Sequence, residues 1–138
     1  MQRNFPIPQN KNFHPLLEKD LTDKIIGAAI EVHRILGPGL LESSYQVCLE
    51  HESKLRSIPF EHLVDLPLNY KGIDLDAGYV IDLMYDKRVI VELKAVERVI
   101  PVHEAQLLTY MRLTGMRVGL LINFNVPVLK DGIYRRVL

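Results

Sequence analysis

The chain has one cysteine, no tryptophan and no surplus charge of either sign, with 17 Lys and Arg against 17 Asp and Glu in 138 residues. The lone Cys48 cannot close an intramolecular disulfide or build a cysteine metal site, so a disulfide scaffold and a zinc ribbon are excluded. No apolar run approaches the ~20 residues a membrane helix needs, and no membrane partner is expected. A net charge of zero argues against a protein whose main task is coating nucleic acid. What is present is ordinary for one folded domain: 48% hydrophobic and 25% charged residues.

The charge is unevenly placed. Up to Asp82 there are 8 basic and 12 acidic residues, and from Leu83 onward 9 basic and 5 acidic. A basic second half suits a polyanionic partner. Residues 1–19, with Pro6, Pro8 and Pro15 among Asn, Gln and Lys, read as an arm or a disordered tail. That stretch has no apolar core of a signal peptide, so a reducing cytoplasm is the expected location. Residues 20–138 read as a single domain.

From Asp20, a plausible N-cap, Ile25, Ala28, Ala29, Val32 and Leu36 make one apolar stripe at helical spacing, stopped by Gly37-Pro38-Gly39. A second helix is predicted from about Leu41 to Arg56, with Tyr45, Cys48, Leu49 and Glu52 on one face. Beyond Pro59 the period changes to two, and Leu66, Leu68 and Tyr70 suggest a strand with Pro67 marking an edge. Strands follow at Gly78 to Tyr85 and Val89 to Ala95, then a helix from Val102 to Thr114. The apolar run Val118 to Phe124 has the length and content of a strand buried on both faces. A hairpin through Lys130-Asp131-Gly132 ends the chain. Helices and strands in this order predict an α/β fold, a mixed sheet flanked by helices.

The chemistry concentrates around Asp82 and the segment Val91-Glu92-Leu93-Lys94. A two-residue loop at Asp86-Lys87 would split the polar groups between faces. A three-residue loop, Asp86 to Arg88, sets Asp82 opposite Glu92 and gives an unbroken apolar face of Ile81, Leu83, Tyr85, Val89, Val91 and Leu93. The apolar pattern selects the second register, since a one-residue slip would turn a whole face outward. Asp82, Glu92 and Lys94 then share the other face with Met84 and Ile90. Two carboxylates ~4 Å apart at an effective dielectric of about 20 repel by roughly 4 kcal/mol. A divalent cation such as Mg²⁺ would relieve that repulsion, and Lys94 could orient a water beside it. The competing reading is that Lys94 neutralises the pair as a structural ion cluster. On the third helix His103, Gln106 and Tyr110 fall at i, i+3 and i+7, one polar face. His103 by itself reads as a solvated or hydrogen-bonded residue, and Cys48 as a small core residue.

Gly39-Leu40-Leu41-Glu42-Ser43-Ser44-Tyr45 carries the pattern that names the bacterial GxxExxY protein family. The resemblance runs from about Leu21 to Val137. It takes in Asn69-Tyr70-Lys71-Gly72, Val91 to Val96, Pro101 to Gln106 and the Gly119-to-Asn125 strand. That family is similar to the PD-(D/E)XK nuclease superfamily, whose restriction-endonuclease-like core is a four-stranded mixed sheet flanked by helices. The resemblance makes Asp82 the motif aspartate and Glu92-Leu93-Lys94 its acid-x-lysine. Gln106 to Tyr110 resembles the QxxxY element of the helicase-associated nuclease branch. Ile81 stands where the motif's name has proline. The resemblance implies Mg²⁺-dependent phosphodiester hydrolysis, with Mn²⁺ able to substitute. The metal would be held by Asp82, Glu92 and the Leu93 carbonyl. Glu42 would bind a second metal or a metal-bound water, Lys94 would place the attacking water, and Gln106 and Tyr110 would contact the scissile backbone or hold Lys94. It further implies a nucleic-acid partner, DNA sooner than RNA. The small core favours a homodimer. The alternative is a non-cleaving module that binds nucleic acid or protein on the same fold.

Overall fold

The computed structural model describes residues 17–75 and 78–138. Most of the expected N-terminal arm lies outside the described residues, and Lys19 already belongs to the first helix. Helices α1 (Lys19–Leu36) and α2 (Glu42–Leu55) lead into strand β1 (Phe60–Asp65) and a small hairpin, β2 (Leu68–Tyr70) with β3 (Ile73–Leu75). Strands β4 (Val80–Tyr85) and β5 (Val89–Lys94), helix α3 (Pro101–Thr114), strand β6 (Val118–Asn123), a 3₁₀ turn (Leu129–Gly132) and strand β7 (Ile133–Val137) complete the described elements.

Five strands form one sheet in the order β1-β4-β5-β6-β7. Among the described strands only the β5–β6 contact within it is parallel, as the α3 crossover requires. The expected mixed α/β sheet is therefore present. Leu83, Tyr85, Val89, Val91, Leu93, Leu120, Ile122 and Phe124 pack under α1 and α2. Ile90 and Leu121 pack under Leu107, Leu108, Tyr110 and Met111 of α3 on the other side. Strand β6 is buried at every position, as its unbroken apolar run predicts. Helix α3 settles on it at Gly119, where a Cβ would stand 2.6 Å from Met111 Sδ and 2.9 Å from Leu107 Cδ1. No helix among the described residues is long and apolar enough to cross a membrane.

Four expectations need correction. Asp20 lies inside the first turn of α1, where its charge suits the helix dipole, while Glu18 occupies the cap in a left-handed conformation without a side-chain hydrogen bond to the helix end. The strand expected through Leu66 to Tyr70 is two pieces. Pro67 interrupts it, β1 precedes it in the main sheet, and Leu68–Tyr70 folds back on Ile73–Leu75 as a separate hairpin. The strand placed at Gly78 begins at Val80. Ile81 does not share a face with Leu83: it packs with Met84 and Ile90 on the α3 side. The β4–β5 ladder stops at Leu83–Val91, and across β1 the residue between the Leu83 and Ile81 partners, Leu63, has φ 49°. The regular alternation is lost where the two ladders break.

Candidate active site

The chain forms the three-residue loop that the apolar pattern selects, with Leu83 opposite Val91 and Tyr85 opposite Val89. One step further Asp82 faces Glu92, and there the strands no longer pair by backbone. The Asp82 N–H donates to Glu92 Oε2 (2.9 Å), and the Leu93 N–H donates to Asp82 Oδ2 (2.8 Å). Each carboxylate thus replaces a ladder acceptor. In an extended strand one residue's N–H and C=O leave the same edge, so the Leu93 carbonyl faces the same gap.

Glu92 is 4% exposed. Burial, and next the charge of Asp82, push its carboxyl up to about 8, with Lys94 acting in the opposite sense. Burial likewise raises Asp82, against the lowering influence of the Leu93 N–H and of Lys94. Glu42, the first residue of α2, stands exposed at the edge of this group. Partial desolvation and then the Asp82 charge raise its carboxyl, and Lys94 lowers it. Lys94, half-buried at the end of β5, is the cation acting on all three acids. Among the described residues it closes no ion pair within 4 Å with any of them. The structural ion-cluster reading of Lys94 lacks the contact it needs.

Helix α3 turns Tyr110 toward this group. Its hydroxyl is raised by burial and then by the charge of Glu92, and it accepts a hydrogen bond from Gln106 Nε2 (3.1 Å). No hydrogen bond joins Gln106 or Tyr110 to Lys94 among the described residues. His103 Nδ1 accepts the Ile100 N–H (3.1 Å), closing the first turn of α3, so this histidine serves the helix end. Among the described residues no three His, Cys, Asp or Glu side chains converge closely enough to enclose a metal ion by themselves.

A family model of the PD-(D/E)XK nuclease superfamily matches residues 19–137. The chain belongs to this superfamily. No curated protein and no solved structure matches it. In this PD-(D/E)XK domain the helix carrying Glu42 is placed by Tyr45, whose fully buried ring stacks on Phe124 with centroids 4.5 Å apart. The Tyr45 hydroxyl donates to Gly37 O (2.6 Å) and accepts the Leu40 N–H (3.1 Å), fastening the α1–α2 turn.

Two residues of the domain escape a reading of sequence alone. Gln46 Nε2 donates to Asp82 O (2.9 Å) and to Glu50 Oε2 (2.8 Å), tying α2 to the aspartate's backbone. Its signal is position: one turn after Glu42, it shares that residue's face. Asn123, buried at the end of β6, is the other, and its signal is a single amide inside an apolar run. The basic surplus of the second half does not gather at the carboxylates. Arg112 and Arg136 line a cavity of about 860 Å³ between α3 and β7, where Arg136 pairs with Glu104. None of Glu42, Asp82, Glu92, Leu93, Lys94, Gln106 and Tyr110 lines it.

Proposed function

We propose that this chain is a metal-dependent nuclease of the GxxExxY type, hydrolysing phosphodiester bonds in nucleic acid, DNA sooner than RNA. The observation that carries the reading is the Asp82–Glu92 pair, two facing acids in a break of the ladder, with the Lys94 charge acting on both and, among the described residues, no ion pair between it and them. The donor set fits Mg²⁺ or Mn²⁺. Hard divalent ions take carboxylate and carbonyl oxygens, keep several waters and are commonly held by one or two acids, so three enclosing side chains are not required. Asp82, Glu92 and the Leu93 carbonyl would hold the ion, and Glu42 would extend the donor set toward a second one. A bound divalent cation would supply a nucleophile near neutral pH and offset the charge of the phosphate.

The remaining work falls to this chain's own side chains. Lys94 donates a hydrogen bond that orients the attacking water, and its charge favours the ionised form of all three acids. Tyr110, with its hydroxyl already accepting from Gln106, can donate its own proton to a phosphate oxygen, and Gln106 has a second amide hydrogen for the substrate backbone. A copy of the chain as dimer partner suits a core of this size.

Calorimetric titration of Mn²⁺ into metal-free protein tests the site without knowledge of the substrate. The wild type binds, and Asp82→Asn and Glu92→Gln each lose binding. Plasmid and oligonucleotide cleavage in Mg²⁺ follows the same ranking. Absence of Mn²⁺ binding together with absence of cleavage would leave the non-cleaving binding module as the better description.

A further inference from the structure

We infer that Asn123 is a positioning residue for Lys94: its side-chain amide fastens the chain where it leaves β5 and thereby sets the lysine against the carboxylates. The role given to Lys94 rests on the nuclease reading above, while the placement of Asn123 stands on its own geometry.

Lys94 is the last residue of β5, and no regular structure holds the chain again until Pro101. In the parallel β5–β6 register Lys94 lies abreast of Asn123. Alternation places Glu92 and Lys94 on the same face as Ile90, and Asn123 on the same face as Leu121, the side covered by α3. Asn123 is 2% exposed at the end of a strand whose other residues are apolar or glycine. A buried amide is unfavourable unless its polar atoms are satisfied, and here one residue satisfies both ends. Nδ2 donates to Val96 O (3.0 Å), and Oδ1 accepts the Val96 N–H (3.0 Å) and the Asn125 N–H (3.2 Å). The last backbone bond between the strands is Phe124 N–H to Lys94 O (2.9 Å). The amide adds two further links beyond it, in the place where a strand end would otherwise fray.

The clamp is itself held from behind. At Gly132 a Cβ would stand 2.1 Å from Asn123 O, so the 3₁₀ turn presses its bare backbone against this residue. The chain is thus fixed on both sides of Lys94, by the ladder before it and by the clamp at Val96. A lysine stem has four flexible carbons, and its direction depends on where its Cα is held.

The test uses two variants of the whole chain, Asn123→Ala and Asn123→Asp. Aspartate keeps the shape and the acceptor but sets an oxygen against the Val96 carbonyl, and it serves if the alanine variant does not fold. The protein carries ¹³C at lysine Cε, the Lys94 resonance is assigned with Lys94→Arg, and Mn²⁺ is the probe. In wild type Mn²⁺ broadens the Lys94 signal. In both variants Mn²⁺ affinity is unchanged, the broadening weakens as the lysine moves away, and kcat for oligonucleotide cleavage falls up to about 100-fold with little change in KM. A folded variant with wild-type broadening and wild-type kcat overturns the inference. A wild type that cleaves nothing, yet loses the Lys94 broadening on Asn123→Ala, upholds the positioning and removes the nuclease reading instead. A wild type that neither binds Mn²⁺ nor cleaves removes the nuclease reading, and an unchanged Lys94 chemical shift in both folded variants then overturns the positioning.

Discussion

The β4–β5 hairpin is two structures that meet at Leu83 and Val91. On the loop side the ladder is intact, and Leu83, Tyr85, Val89, Ile90 and Val91 are fully buried. On the open side the same two strands are joined through carboxylates that take the amide protons. The loop side stabilises by excluding water, and the open side holds like charges together at a cost. A dry, well-paired half supports a half that folding alone would not select.

That comparison makes opposite predictions for neighbouring residues. The largest effect belongs to the loop side: Leu83→Ala removes a fully buried side chain and should cost about 2–5 kcal/mol, read from urea denaturation. A loss smaller than the change produced at Asp82 would break the contrast.

Next comes the pH dependence of the metal-free protein. Glu92 is raised from 4.5 to about 8 by burial and by Asp82, so the folded state keeps a proton that the unfolded chain releases. Its stability contribution is full below pH 4.5, declines as pH rises, and is gone above about 8, a fall on the order of a few kcal/mol. Urea midpoints between pH 5 and 8 in EDTA should fall, and saturating Mn²⁺ should remove the trend by displacing the proton. A flat profile in EDTA would mean that neither burial nor Asp82 disfavours the Glu92 charge.

The smallest effect is Asp82→Asn without metal. Above about pH 8, where Glu92 is ionised, asparagine still accepts the Leu93 N–H but no longer repels that charge, so stability should rise by up to about 1 kcal/mol. A lower melting temperature in metal-free buffer would instead make the pair a structural element.

The hairpin register and the clustering of Asp82, Glu92 and Lys94 were legible because the apolar alternation from Leu83 to Leu93 admits a single pairing. The face of Gln106 and Tyr110 was legible from helical spacing. Strand β1 was not. It is an edge strand, its residues are mostly exposed, and Leu63 at φ 49° interrupts any period of two. The change of face at Ile81 follows from side chains substituting for ladder acceptors, which no local pattern encodes. Gln46 and Asn123 act by bonding backbone that lies 36 and 27 residues away in the chain. A single polar residue carries no mark of such a distant partner.

The parallel pairing of β5 with β6 also bears on how the chain is made. Strand β5 leaves the ribosome with β4 on one side and nothing on the other, because α3 must be synthesised before β6 can fill the gap. At roughly 5–20 residues per second that interval is on the order of seconds. Throughout it, the edge from Val89 to Leu93, apolar apart from Glu92, is open to any other strand, including one from a neighbouring nascent chain. Recovery of soluble protein should therefore depend on how fast residues 95–123 are translated.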